Sequence, residues 1–283
     1  MGKLAGKVAL VTGAARGQGR SHCLTLAAEG ADIIAFDICA NIPSTPYPLA
    51  TKADLSRTAD DVTALGRRVH RAVVDVRDYV GVRTATDAAV RALGRLDIVV
   101  ANAGISPLGN PDLGSFVDSF DVNLTGISNV MGAALPHVPD GASLIATGSV
   151  VAFDGTGTAT RGPGGVAYAM AKQMAAQYMS ELARVCAPRM IRANVIHPSN
   201  CNTEMLHSEA VYRAFVPDTE HPTREQAIAA FPRMHTFPIP WSEPSDISAA
   251  VLFLASDDSR LITGAQLRVD AGAYYRFANP TPL

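Results

Sequence analysis

The chain alternates short apolar runs with segments of helical periodicity along almost its whole length. Each run is too continuously apolar for a strand with one face in water, so the runs predict strands that are buried on both sides. Such strands, joined through helices by right-handed crossovers, form a doubly wound parallel α/β sheet with helices on both faces. The predicted strands are 7–12, 31–37, 70–76, 95–104, 142–148, 191–198 and 265–272.

Composition narrows the class of protein further. The 283 residues contain no internal repeat and nothing that resembles a linker between two cores, so we expect a single domain. The formal net charge is −2 and the basic residues are scattered, which argues against a nucleic-acid partner. The four cysteines stand far apart, without histidines at ligand spacing, so we expect free thiols and no metal. No apolar run has the length of a membrane span and no signal region is visible, so we expect a soluble, cytoplasmic protein without a membrane partner.

A glycine-rich turn, TGAARGQGR, follows the first predicted strand directly. Glycine permits a tight turn and the close approach of a pyrophosphate to the free N–H groups at the start of the next helix. An ordinary strand-to-helix turn is the alternative, but here the strand, the helix and an acid after the second strand are all in place. The pattern therefore predicts a Rossmann-type dinucleotide site, and the residues of the turn that we assign to it are Gly13, Arg16, Gly17, Gln18 and Gly19.

The acid after the second strand is Asp37, 24 residues after Gly13. A carboxylate there can accept hydrogen bonds from the adenosine ribose hydroxyls and would repel a 2′-phosphate, which favours NAD over NADP. Arg16 is the counter-argument, because an arginine near this ribose can pair with a 2′-phosphate. Further contacts to the cofactor are expected where later strands end at the same edge of the sheet. They are Ile38, Asp75, Val76, Asn102, Ala103 and Gly104.

A tyrosine and a lysine lie four residues apart in YAMAK, so that both side chains project from one face of a helix. The ammonium of Lys172 beside Tyr168 would favour the phenolate and lower a pKa that is normally about 10, which suits an acid and base near neutral pH. Ser149, after the fifth strand, could bond a substrate carbonyl or alcohol oxygen. Asn123, in DVNLTG, could hold a relay water. The alternatives are a surface Tyr–Lys pair on an amphipathic helix and an asparagine that satisfies backbone groups inside a long helix.

Several of these motifs together, TGAARGQG, NAG, the Ser–Tyr–Lys set and RLITGAQLRVDAG, resemble the classical short-chain dehydrogenase/reductase family over essentially the whole chain. The resemblance implies that Tyr168 is the acid/base and that Ser149 orients the substrate oxygen. It implies that Lys172 binds the nicotinamide ribose beside Tyr168 and that Asn123 supports a proton relay. Pro198 and Thr203 would meet the nicotinamide end, with Thr203 at the carboxamide, and the assembly would be a homotetramer.

Two features depart from the family pattern. Ser149 and Tyr168 are 19 positions apart, more than is usual in the family, so AFDGTGTATRGPGG is expected to contain an insertion beside the active site. HPSN stands where the family usually has Pro-Gly, so Ser199 could alter how the backbone meets the nicotinamide.

A second insertion, residues 38–53, follows the ribose-binding acid. Together with GAARGQGRSH and VDAGAYYR it resembles the carveol dehydrogenase-like, mycofactocin-associated subgroup of the family. The resemblance implies that this loop folds over the adenosine half of NAD, so that the cofactor exchanges poorly and a redox partner reoxidises it. Its three prolines reduce the entropy lost on ordering, and Tyr47 offers a rigid surface for packing. The alternative is a spacer that packs on the surface or against another subunit.

Residues 199–243 form a predicted excursion above the sheet that would bind the substrate. Its apolar side chains would suit a small lipophilic or terpenoid secondary alcohol, oxidised to a ketone with NAD. An NADPH-dependent 3-ketoacyl reductase is the alternative enzyme, and a non-catalytic dinucleotide-sensing regulatory protein is the alternative of another class. The apolar residues considered are Met205, Leu206, Phe215, Phe231, Met234, Phe237 and Trp241.

Overall fold

The computed structural model describes residues 2–153 and 162–278. Within them, seven strands form one parallel sheet in the order β3-β2-β1-β4-β5-β6-β7, and the predicted doubly wound α/β fold is confirmed. The strands are β1 Val8–Thr12, β2 Asp32–Asp37, β3 Val69–Val73, β4 Ile98–Ala101, β5 Ser143–Thr147, β6 Arg192–Pro198 and β7 Gln266–Val269.

Helices cover both faces of this sheet. A π-helical turn, Asp121–Thr125, joins α4 to α5 without a break in the helical path. None of the helices in the described ranges is long and apolar enough to cross a membrane. The helices are α1 Gly17–Ala28, α2 Lys52–Ala64, α3 Tyr79–Leu93, α4 Gly114–Phe120, α5 Gly126–Ala134, α6 Gly162–Cys186, α7 Glu209–Phe215, α8 Arg224–Ala230, α9 Pro244–Ala255 and α10 Ala273–Ala278.

Successive residues of a central strand belong to two different cores. In β1, Val8 and Leu10 pack with α3, α5 and α6, whereas Ala9 and Val11 pack with α1, α2 and α9. Side chains of a strand alternate between faces, so a sheet covered by helices on both sides needs apolar residues at every position. This requirement explains why the central strands are recognisable in the sequence as unbroken apolar runs.

The two edge strands differ from that expectation. The side chains of β3 alternate between half-buried and exposed, because an edge strand has a neighbour on one side only. The predicted runs for β3, β4 and β7 also extended too far. At the end of β4, the amides of Asn102 and Ala103 leave the ladder and donate to the Thr12 hydroxyl (3.0 and 3.1 Å), which ends the strand before the NAG motif.

The strand order reverses between β1 and β4. In a doubly wound sheet the chain crosses to opposite faces on either side of this point, which leaves a crevice at the carboxyl ends of the strands. The glycine-rich turn, the acid after β2 and the NAG motif all stand at this edge. The fold therefore assigns the candidate site to this crevice.

Candidate active site

A cavity of about 270 Å³ occupies the crevice. All eighteen site residues predicted from the sequence line it, from the glycine-rich turn at one end to Ser149, Tyr168 and Lys172 at the other. The structure therefore brings every predicted site residue to one place.

The glycine-rich turn requires glycine for two separate reasons. Gly13 has φ 67° and Gly17 has φ 52°, in the left-handed region that L side chains rarely adopt. A Cβ on Gly19 would lie 2.0 Å from the carbonyl oxygen of Gly13, so no side chain fits there. The turn and the open start of α1 form the kind of cradle that fits a pyrophosphate.

Asp37 ends β2 with its carboxylate at the cavity. Oδ2 accepts a hydrogen bond from the amide of Ala15 (3.0 Å), and Oδ1 accepts one from the amide of Cys39 (2.9 Å). These bonds fix the carboxylate and leave lone pairs on both oxygens for ribose hydroxyls. The residues at this end therefore fit an unphosphorylated adenosine ribose.

Arg16 is engaged elsewhere. Its Nη2 donates to the carbonyl of Pro48 (2.7 Å), and its Nε lies 3.9 Å from Oε2 of Glu204. The guanidinium thus connects the glycine-rich turn to the loop after β2 and to the segment after β6. An arginine held in this way is a weaker argument for a 2′-phosphate than the sequence suggested.

Asp75 and Val76, shortly after β3, also line the cavity. Burial by itself would raise the pKa of Asp75, but hydrogen bonds from Arg77 outweigh burial and hold the pKa below its usual value. Arg77 also bonds Asp118 (2.7 Å), and Asn129 donates to the carbonyl of Val76 (2.9 Å). This network fixes the turn after β3 in place.

Asn123 lies in the π-helical turn and is fully buried. Its Nδ2 donates to the carbonyls of Ile105 and Ser119 (both 2.8 Å), whereas its Oδ1 has no partner among the described residues. A Cβ built on Gly104 would lie 2.8 Å from that Oδ1 and 3.5 Å from Nζ of Lys172, so both atoms face the space over Gly104. Asn123 therefore satisfies backbone groups and also leaves a free acceptor near Lys172. Single π-turns are frequent at functional sites.

Lys172 is 3% exposed, and its Nζ donates to the carbonyl of Thr147 (2.7 Å). The same atom lies 5.8 Å from the centre of the Tyr168 ring. Burial lowers the pKa of Lys172 to about 8. A lysine with that pKa is still mostly protonated at neutral pH.

The expectation that the pKa of Tyr168 is lowered in the protein was wrong for the site as it stands. Burial raises the pKa of this phenol, and a hydrogen bond with Ser149 opposes the effect without overcoming it. The ammonium of Lys172 donates to the carbonyl of Thr147 and lies 5.8 Å from the centre of the Tyr168 ring, and it is not among the groups that shift the pKa of Tyr168. The sequence shows the spacing of the pair but not the desolvation, which depends on the surrounding fold.

The loop of residues 38–53 is tied to the rest of the molecule at three points. Tyr47 is buried, and its hydroxyl accepts a hydrogen bond from the amide of Ser106 (3.0 Å). Asn110 donates to the carbonyl of Ser44 (3.0 Å), and Arg16 donates to the carbonyl of Pro48. Loop side chains also line the cavity, namely Ile38, Ile42, Tyr47, Leu49 and Ala50.

The excursion of residues 199–243 contains α7 and α8, and its apolar side chains form a small cluster together with Leu108. Four of the seven apolar residues considered there line the cavity: Met205, Leu206, Phe215 and Met234. Phe231 and Trp241 pack in the cluster, and Phe237 is exposed. From Met205 onward, every side chain that the excursion contributes to the cavity lining is apolar.

Ser199 also lines the cavity, and its hydroxyl lies 2.8 Å from Nε2 of His235. Nδ1 of that histidine lies 2.7 Å from the carbonyl of Ile239, which can only accept, so Nε2 accepts from Ser199. The sequence identified Ser199 as a departure but did not reveal its partner. Of the predicted insertion 152–165, residues 154–161 lie outside the described part of the chain. Among the described residues, no group of three His, Cys, Asp or Glu side chains could hold a metal ion.

Comparison with known proteins gives a consistent assignment. The family model described as enoyl-(acyl carrier protein) reductase matches residues 13–274. The chain belongs to the short-chain dehydrogenase/reductase family, and the resemblance inferred from the motifs is confirmed.

Within that family the chain is 43% identical to the (−)-trans-carveol dehydrogenase of Rhodococcus erythropolis, over 96% of this chain and 99% of the relative. The crystal structure of carveol dehydrogenase from Mycobacterium avium in complex with NAD is 45% identical, with a TM-score of 0.89, over 96% of this chain and 99% of that one. A short-chain dehydrogenase from Burkholderia cenocepacia in complex with NADP is 30% identical, with a TM-score of 0.78, over 96% and 99% of the two chains.

Proposed function

We propose that the protein is an NAD-dependent oxidoreductase that interconverts a secondary alcohol and a ketone by hydride transfer at the nicotinamide. The observation that carries the proposal is one cavity with Asp37 at one end and Ser149, Tyr168 and Lys172 at the other. The similarity to carveol dehydrogenases supports the same activity. Oxidation of carveol by protein loaded with NAD, followed as formation of bound NADH, is the direct test, and no NADH formation with any secondary alcohol would contradict the proposal.

The residues present fit NAD. The glycine cradle suits the pyrophosphate, and the fixed carboxylate of Asp37 suits the ribose hydroxyls. When bound, NAD supplies the hydride acceptor. Asn102 would help to hold it, because its Nδ2 donates to the carbonyl of Thr12 and its Oδ1 accepts from Thr147 (both 3.1 Å), which fixes the NAG turn.

Each residue at the reactive end has a role that follows from its position. Ser149 would hold the substrate oxygen, and Tyr168 would remove or return the hydroxyl proton. Lys172 carries the positive charge that stabilises the phenolate, and its own proton can be replaced through a water at the free Oδ1 of Asn123. Because burial raises the pKa of Tyr168, the base form depends on positive charge nearby, including that of oxidised nicotinamide.

The apolar wall supports a small lipophilic alcohol as substrate. Met205, Leu206 and Phe215 leave few polar partners for a second polar group on the substrate. The Rhodococcus relative is named for a terpenoid alcohol of this kind. A terpenoid alcohol is therefore the proposed substrate class.

Two alternatives are disfavoured. An NADPH-dependent ketoacyl reductase would need to bind a 2′-phosphate, but Asp37 stands at that position and Arg16 is bonded to Pro48. A non-catalytic sensor would have no use for a buried lysine beside a tyrosine and a serine. The four cysteines are free thiols, which supports the proposal of a reducing, cytoplasmic location.

Asp37→Asn is expected to strengthen NADP binding by roughly 10-fold. The substitution removes a negative charge that would lie close to a 2′-phosphate, and contacts between like charges near a surface are worth on the order of a few kcal/mol. An amide oxygen can keep one of the two hydrogen bonds, from Ala15 or from Cys39, and the other is lost. The dissociation constants of NAD and NADP are measured by calorimetry. Asp75→Asn is the control, and an equal gain there, or no gain at Asp37, would contradict the assignment of the ribose site.

We also propose a homotetramer. Exposed apolar side chains lie on the adjacent helices α4 and α6, including Val117 and Met174. In sedimentation velocity at micromolar concentration, the wild type is expected to run as four chains. The double variant Val117→Glu/Met174→Glu is expected to run as a smaller species, whereas Leu65→Glu, at an exposed position directly after α2, keeps the tetramer. A monomeric wild type would refute the proposal.

The loop of residues 38–53 is proposed to close over the adenosine half of NAD, with Tyr47 and the carbonyls of Ser44 and Pro48 as its anchors. A cofactor held in this way would be reoxidised in place, so a redox partner belongs to the proposal. Mass spectrometry of the nucleotide released by denaturing protein purified without added cofactor tests this. About one NAD or NADH per chain supports retention, and an empty protein contradicts it.

A further inference from the structure

A buried hydrogen-bonded chain runs behind the cavity and joins the loop after β5 to helix α6. His197, at the end of β6, is fully buried and does not line the cavity. Its Nδ1 lies 3.2 Å from the amide nitrogen of Ser149 and 2.9 Å from the carbonyl oxygen of Ser149. Its Nε2 lies 2.6 Å from Oε1 of Gln266, the first residue of β7. The side-chain nitrogen Nε2 of Gln266 donates to the carbonyl of Ala176 and to the hydroxyl of Ser180 (both 3.1 Å), and both residues belong to α6.

The orientation of every group in this chain can be derived from its fixed end. The carbonyl of Ala176 can only accept, so the amide nitrogen of Gln266 faces α6 and Oε1 faces His197. Oε1 can only accept as well, so Nε2 of His197 carries a hydrogen. In the neutral ring Nδ1 is then an acceptor, and its donor is the amide of Ser149.

The charge state of His197 is set by its surroundings. Burial lowers the pKa of His197; hydrogen bonds with Gln266 and Ser149 oppose this, and the cations of Lys172 and Arg268 lower the pKa further. The ring is therefore neutral at physiological pH. A protonated ring would donate to the carbonyl of Ser149 instead, so either form makes a hydrogen bond with the backbone of Ser149.

Packing holds the imidazole ring of His197 in one position. A Cβ on Gly148 would lie 2.5 Å from Nδ1, so the imidazole sits directly against the backbone before Ser149. Phe153 covers the ring at 4.8 Å between centroids, and Phe153 in turn packs edge-on against Tyr274 at 5.4 Å. The ring therefore acts as a rigid spacer and not as a mobile side chain.

We infer that His197 and Gln266 are positioning residues that set the distance between the hydroxyls of Ser149 and Tyr168. Ser149 follows β5 whereas Tyr168 belongs to α6, so this distance depends on how the end of the strand is held against the helix. The inference rests on the proposed roles of Ser149 and Tyr168. The hydrogen bond from Ser149 lowers the pKa of Tyr168, so a displaced Ser149 leaves a less acidic phenol.

The test compares His197→Phe, Gln266→Leu and the double variant in oxidation of carveol. Each single variant is expected to lower kcat between about 10- and 100-fold, the cost of a misplacement near 1 Å, with little change in KM. The limb of the pH–rate profile where kcat rises with pH is expected to move up by about one unit. The double variant is expected to lose no more activity than the less active of the two single variants, because both substitutions break the same hydrogen-bonded chain.

Asn194→Leu is the matched control. Asn194 is buried on the same strand, donates to the carbonyl of Ile262 and accepts from the amide of Ala265 (both 2.9 Å), and has no hydrogen bond with Ser149 or with the described residues of α6. It is expected to lower the melting temperature without moving the pH limb. If His197→Phe does not fold, Gln266→Leu carries the test.

Three outcomes overturn the inference: an unmoved pH limb in the variants of the chain, additive losses in the double variant, or the same shift in Asn194→Leu. Tyr168→Phe is measured in parallel. If it abolishes turnover while His197→Phe and Gln266→Leu do not alter the profile, the positioning role alone fails. If Tyr168→Phe remains fully active, the proposed catalytic roles fail instead.

Discussion

Tyr168→Phe is expected to slow hydride transfer on the order of 1000-fold while NAD binding is retained. General acid–base catalysis contributes about 100- to 10,000-fold, and no other described side chain that could take a proton bonds the hydroxyl of Ser149, since His197 bonds only the backbone of that residue. The substitution removes one oxygen and leaves the ring in place. The rate is measured as NADH absorbance after the protein, loaded with NAD, is mixed with carveol, and bound NAD is quantified separately.

Tyr178→Phe is the matched control, because Tyr178 lies on the same helix, is partly buried and packs against the core. It is expected to keep the rate within about 2-fold, since a single exposed or half-buried hydroxyl contributes on the order of 1 kcal/mol to stability and nothing to proton transfer. Full activity in Tyr168→Phe would assign the base to another group.

Replacing residues 41–50 with a short glycine–serine linker is expected to speed NAD dissociation on the order of 100-fold. The replacement removes three hydrogen bonds that hold the loop down, those of Tyr47, Ser44 and Pro48. At about 1 kcal/mol each they favour the closed loop by about 3 kcal/mol, and 1.4 kcal/mol corresponds to a factor of ten. The off-rate is measured by chasing bound labelled NAD with unlabelled NAD.

Two point variants separate the parts of this effect. Tyr47→Phe keeps the aromatic packing and loses one bond, so it is expected to raise the off-rate by up to about 10-fold. Asn129→Ala removes the hydrogen bond to the carbonyl of Val76, in the turn after β3, and leaves the loop contacts in place. It is the control for a general loosening of the site. An unchanged off-rate in the linker variant would leave the loop as a surface spacer.

The central strands could be predicted because burial on both faces imposes an apolar residue at every position. In β1, β2 and β5 every residue is buried, and polar residues stand only at the strand ends. The solvent exposure of the β3 side chains could not be predicted, because it depends on which strand lies at the edge of the sheet, and strand order is a property of the whole fold. The length of β4 was overestimated because a side chain, the hydroxyl of Thr12, takes over its last amides.

The candidate site was predictable where a local motif carries it, as in the glycine-rich turn and the Tyr168–Lys172 pair. It was not predictable where the partners are distant in the chain. His197 and Gln266 are 69 residues apart, and their contact exists only because β6 and β7 are paired in register. The pKa of Tyr168 was misjudged for a similar reason, since desolvation comes from groups that the motif does not contain.

Arg16 connects two properties that are usually treated separately, because it belongs to the pyrophosphate turn and is anchored by the loop after β2. A descendant of this protein that lost the loop would release a guanidinium beside the adenosine ribose. The same deletion would then make the cofactor exchangeable and relax the discrimination against a phosphorylated ribose. Arg16 therefore couples the proposed retention of NAD to the proposed preference for an unphosphorylated ribose.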